Sequence, residues 1–215
     1  MDFQFAFWQM LYLFIAPQKL IKVFRARKHS KSQYARDDPA FLVLFTGALC
    51  LTSVGFSLVL NLSIIQFIKF LFFVIFVDCI GAGLLIATIL WYLTNTFLKP
   101  KMNLQDIEWG FSFDMHLNAF FPPLILLHFI QLFFYNGLIS HDWFLSILLG
   151  NTFWLGASFY YVYITFLGYN SMQILSHTRL FLAPIPWFVL LYFISLFANW
   201  NISQALMNFY KYRVL

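Results

Sequence analysis

Apolar residues gather along the chain in five long runs separated by short polar breaks. The runs cover 41–60, 70–93, 120–138, 143–167 and 180–200; the first carries no charged residue and the second carries one, Asp78. A helix needs about 20 apolar residues to cross the ~30 Å hydrocarbon core of a bilayer. An open sheet is excluded there, because each unpaired backbone group costs several kcal/mol in hydrocarbon. The pattern predicts an all-α, polytopic integral membrane protein with five transmembrane helices over 41–215, preceded by a cytosolic segment, 1–40.

The first apolar stretch, FQFAFWQMLYLFIAP, is a different object. As a helix, residues 3–16 extend about 21 Å, too short to span. Asp2 leads it and Pro17-Gln18-Lys19 follow, which is not the order of a cleaved secretory signal. We read an N-terminal interfacial helix, its aromatic residues at the level of the headgroups. Lys19, Lys22, Arg25, Arg27, Lys28 and Lys31 then lie over the anionic lipids of the cytosolic leaflet. The same cluster would suit nucleic acid in a soluble protein, but beside a membrane helix a nucleic-acid partner is not expected.

Composition agrees with the pattern. Of 215 residues, 62% are hydrophobic and only 10% charged, against roughly 25% charged in an average soluble domain. With five spans, ten of the cations (those six with Arg36, Lys99, Lys101 and Arg179) fall on one side and Lys69, Lys211 and Arg213 on the other. That bias predicts a cytosolic N-terminus and a lumenal C-terminus. The sequons Asn61-Leu62-Ser63 and Asn201-Ile202-Ser203 abut span ends and are expected to stay unglycosylated, and Cys50 and Cys79, inside spans, are not expected to form a structural disulfide.

Few residues suggest chemistry. Asp78 sits near mid-bilayer, where a charge costs at least ~2.5 kcal/mol and requires a partner or a proton. His128, Gln131 and Tyr135 share a helix face on the third run. With Asn151 at similar depth on the fourth, we expect a buried polar cluster of Asp78, His128, Gln131 and Asn151. Interhelical hydrogen bonds account for such a cluster; a proton relay, or an ion or lipid path, is the alternative. Asp37 and Asp38 ahead of Pro39 suit the first turn of a helix, in preference to a Mg²⁺ site of a lipid-modifying enzyme. Cys79, Gly83 and Ala87, like Gly47 and Gly55, read as small-residue packing stripes.

The stretch DMHLNAFFPPLILLH holds an acid, two imidazoles and an amide, but no zinc pair, nucleophile elbow or P-loop accompanies it. It reads as the end of a long cytosolic loop, 99–119, and the entry to the third helix, with Asp114 and Asn118 as caps and the prolines in its first turns. In that loop Asp106, Glu108 and Asp114 are placed to pair with the basic segment. Trp109, Phe111 and Phe113 offer aromatic anchors for a partner. No catalytic, cofactor or metal site is expected.

Several stretches together carry a resemblance: FAFWQMLYLFIAPQK, QYARDDPAFLVL, DCIGAGLLIAT, EWGFSFDMHLNAFFPP, LLHFIQLFF, GNTFWL, YITFLGY and NFYKYRV. They resemble the Unc-fifty (uncoordinated-fifty) family of Golgi membrane proteins from Met1 to Leu215. The resemblance implies a five-span, Golgi-resident protein of vesicular transport. It further implies support of surface delivery of receptor cargo, and docking of a Golgi Arf guanine-nucleotide exchange factor on the cytosolic face. The family brings no catalytic residues. A channel, transporter or lipid scramblase built on the polar cluster is the alternative function.

Overall fold

The computed structural model describes residues 1–31, 38–100, 106–172 and 174–215, with the backbone alone for 25–31. Arg36, Asp37 and Lys101, and the side chains of Arg25, Arg27, Lys28 and Lys31, lie outside the described residues. The described residues form helices and no strand: α1 (Phe3–Ile15), α2 (Pro17–Lys31), α3 (Ala40–Leu60), α4 (Ile64–Leu98), α5 (Trp109–Ile139), α6 (Phe144–Asn170), a 3-10 turn (Thr178–Leu182) leading into α7 (Pro184–Phe197), and α8 (Ile202–Val214).

Among the described residues, four helical stretches are long and apolar enough to cross a membrane: α3, α4, α5 and Thr178–Phe197. The fourth expected span, 143–167, falls on α6, 27 residues without a charge and about 40 Å long, which is less apolar than those four. Its Tyr, Ser, Thr and Asn residues dilute its hydropathy, and it packs between α5, α7 and α8. Two boundaries differ from expectation. The second span starts at Ile64, where Ser63 and Gln66 form a capping box that draws the polar link into the helix end. The third starts at Trp109, so residues 109–119 are helix and not loop.

The links explain the topology. Asn61 ends α3 in the left-handed conformation at φ 52°, a cap that Asn tolerates, and only Leu62 and Ser63 separate it from α4, so α3 and α4 are antiparallel neighbours. Asp38 caps the start of α3, its carboxylate accepting from the Ala40 amide at 3.0 Å and from the Asp2 amide at 2.5 Å. Asp2 in turn caps α1 through Phe5 N–H. The starts of α1 and α3 are thereby tied, and α1 packs along α3 and α5.

Pro122 and Pro123 fall within α5 and not in its first turns. Lacking N–H groups, they leave the carbonyls four residues before them without helical donors, and a π-helical segment, Ile125–Ile130, follows. A second π segment, Phe73–Gly81, lies in α4 around Asp78.

Aromatic residues fill the interior. Phe41 and Phe45 of α3 meet Phe121 of α5, while Phe56, Phe70 and Tyr210 pack edge-on or tilted where α3, α4 and α8 converge. The small-residue stripe of α4 faces α5: His116 lies 3.3 Å from where a Cβ on Gly83 would sit. Gly55 meets Leu132, whereas Gly47 is exposed with nothing near it, so that stripe is a packing contact at one position only. On α6, Met115 fills the space beside Gly168, where a Cβ would lie 1.7 Å from its sulfur.

Candidate functional site

Polar groups in the expected cluster fall into two nodes. Asp78 receives both terminal nitrogens of Arg213, at 2.8 and 2.6 Å, the bidentate fork that suits guanidinium and carboxylate. The Arg213 guanidinium lies over Phe73 at 4.6 Å and beside Tyr210, its side chain 13% exposed against 33% for Asp78. His128 packs edge-on against Phe56 at 4.8 Å and near Tyr210, with its Nδ1 buried and unbonded. Gln131 is buried in the next turn of α5.

Asn151 is not part of this group. Its Nδ2 donates to Ser195 Oγ at 2.8 Å and to the Trp200 carbonyl at 2.9 Å, and its Oδ1 accepts from the Ile202 amide. It therefore joins α6, α7 and the first turn of α8. Arg213 lies 11 residues further along α8, about 16 Å away. Asn201 is equally buried, capping α8 through Gln204 N–H and donating to the Ile139 carbonyl, which places that sequon inside the fold. Asn61 is exposed. Both cysteines are free thiols.

The connection from α4 to α5 is the second candidate region. Lys99 and Asp106 form an ion pair, which joins Asp106 to its own connection. Ile107 is clamped at both ends: its amide donates to Asn95 Oδ1, and its carbonyl accepts from Asn95 Nδ2 and Trp91 Nε1. Glu108 is the N-cap residue of α5. Trp109, 38% exposed, stacks on Phe113 at 5.5 Å and 9° between planes, and donates from Nε1 to Thr88. Phe111 turns inward against Tyr169, whose hydroxyl donates to Ser112. Asp114 is half-buried within the helix.

Neither expected cap acts as one. Asp114 lies well inside α5, and Asn118 is buried mid-helix, its Oδ1 accepting from Gln9 of α1 at 2.7 Å. His116 is also internal, bonded through Nδ1 to the Tyr161 hydroxyl at 2.9 Å. Polar residues of this stretch thus dock α1 and α6. On α2, Lys19 and Lys22 are exposed, and Gln18 reaches Tyr163 of α6.

Arg213 is the group sequence reasoning missed. A signal was available: Asp78 required a partner, and of the three cations on its side only Arg213 has the planar fork that matches a carboxylate. What was absent was any sign that 202–214 forms a helix turned back onto α4.

Long apolar helices, internal polar nodes and an aromatic, charged connection define a polytopic helical membrane protein. The model of the UNC-50 family matches residues 1–211. The chain is 59% identical over 214 residues to protein unc-50 homolog of Drosophila melanogaster, covering all of this chain and 78% of that protein. It is 52% identical to protein unc-50 homolog A of Xenopus laevis and 51% identical to the Homo sapiens protein unc-50 homolog, each over 215 residues and 83% of the relative. No solved structure matches it. The chain belongs to the UNC-50 family.

Proposed function

We propose that this chain is a non-enzymatic Golgi membrane protein of vesicular protein transport. In this reading it supports surface delivery of membrane receptors and docks an Arf guanine-nucleotide exchange factor on its cytosolic face, with the N-terminus cytosolic and the C-terminus lumenal. Family membership across nearly the whole chain motivates the assignment. The observation that carries the docking surface is the half-exposed Trp109 stacked flat on Phe113, beside exposed Asp106. A rigid aromatic pair next to charge is the composition of interface hot spots. Exposed Lys19 and Lys22 would hold α2 at the anionic leaflet.

What favours docking over transport is that Asp78 is already neutralised by Arg213 and that Asn151 lies apart from it, which leaves no continuous polar path built on the four residues. The test is Trp109→Ala with Phe113→Ala in cells lacking the endogenous protein, at matched abundance. Loss of exchange-factor recruitment is expected, since truncating an anchor worth about 2 kcal/mol weakens binding roughly thirtyfold. Full recruitment and receptor delivery by this variant, alongside failure of His128→Leu with Gln131→Leu, would transfer the assignment to a transporter or scramblase.

A further inference from the structure

A cleft of about 660 Å³ opens where the end of α6 meets the 3-10 turn, lined by Asn170, His177, Thr178, Arg179, Leu180, Leu182 and Ala183. Its volume falls within the roughly 300–1,000 Å³ of small-ligand sites. Its position fixes the medium it faces. The turn is the first part of the Thr178–Phe197 span, of which only 6% is buried in the protein, so the cleft sits at the end of a lipid-facing element, at the depth of headgroups.

The rim presents donors. Arg179 is exposed and has no ion pair or hydrogen bond among the described residues. Thr178 Oγ1 donates to Asn170 Oδ1 at 2.7 Å, which occupies the acceptor of that carboxamide and leaves its two N–H groups for a ligand. His177, held at φ 55° between α6 and the turn, is exposed beside them. Among the described residues, no carboxylate lines the cleft. The remaining wall is apolar, with Leu180 61% exposed. A guanidinium and an amide sharing one cleft with leucines match a ligand that is anionic at one end and hydrocarbon at the other.

The geometry points to a binding site for an anionic glycerophospholipid, its phosphate held by Arg179 and Asn170 and its acyl chains running along Leu180 and Leu182. Guanidinium binds phosphate oxygens as a fork, so the contact is specific in a way that the spread of lysines on α2 is not. This inference stands apart from the docking surface at Trp109, and either can fail without the other.

The experiment uses the purified full chain in uncharged detergent, titrated by native mass spectrometry with dioctanoyl phosphatidylserine, dioctanoyl phosphatidylcholine and inorganic phosphate. Saturable binding of the anionic lipid, weaker binding of the zwitterionic one and none of phosphate are expected. Arg179→Gln should weaken anionic-lipid binding by about tenfold, the loss of a charge-assisted pair. Leu180→Asp, a change at an exposed position, should do the same by repulsion, while Lys19→Gln with Lys22→Gln should leave binding intact. Unchanged binding in both cleft variants overturns the site, and phosphate binding as tight as the lipid's overturns the lipid assignment.

Discussion

At the connection between α4 and α5, Asp106 and Trp109 are exposed and the contacts are short in sequence: Lys99 with Asp106, Asn95 with Ile107, Trp109 with Phe113. Around α8 the polar groups turn inward and their partners are remote: Asp78 with Arg213, Asn151 with Ile202, Asn201 with Ile139. Of the first kind, the Lys99–Asp106 pair and the Trp109–Phe113 stack shape a surface and can be lost without stranding a buried polar group, whereas the Asn95 clamp on buried Ile107 cannot. Those of the second kind hold helices together, and removing one partner strands the other in a medium that cannot solvate it.

The largest effect that would test this contrast is Asn151→Leu. It leaves the Ile202 amide and the Trp200 carbonyl unpaired, and a loss of roughly 3 kcal/mol is expected, read as a lower thermal midpoint in detergent. Stability equal to wild type would remove Asn151 from the joint of α6, α7 and α8. Arg213→Met comes next, at roughly 2 kcal/mol; this is below the cost of breaking a fully buried pair because the Asp78 carboxylate is a third exposed. Adding Asp78→Leu to it should recover part of the loss, and a double variant less stable than the single one would show that the carboxylate has another partner.

A smaller loss, about 1–2 kcal/mol, is expected for Gly168→Ala, where Met115 must move. Gly47→Ala, with open space around it, should be neutral. Equal loss in both would mean that the α5–α6 contact is looser than the Met115 packing implies. Trp109→Ala with Phe113→Ala is expected to cost less in thermal stability than any of the internal substitutions while abolishing recruitment of the exchange factor. A stability loss as large as that of Asn151→Leu would make the aromatic stack a structural element and not a surface.

The helices were legible because lipid imposes one strong rule: uncharged runs such as 41–60 have no other stable form. Their ends were less so. Ser63, Gln66, Trp109 and Gly110 look like loop residues by polarity, but they lie where a capping box and a clamped Ile107 extend helices past the apolar runs. Depth was the cue that grouped Asp78, His128, Gln131 and Asn151, and depth says nothing about which side of a helix bundle a residue faces. The π segments in α4 and α5 shift that facing further. The last helix was hidden because ISQALMNFYKYRV is too short and polar for a span, and its reason for folding back lies in Asp78.

The Asp78–Arg213 pair joins residues 135 positions apart, and this separation sets an order on synthesis. At about 5–20 residues per second, Asp78 waits on the order of ten seconds for its guanidinium, while α5, α6 and α7 are still being made. The bilayer therefore receives a carboxylate before its counter-charge exists. A nascent chain released before Arg213 would carry an acid without its counter-charge in its second span.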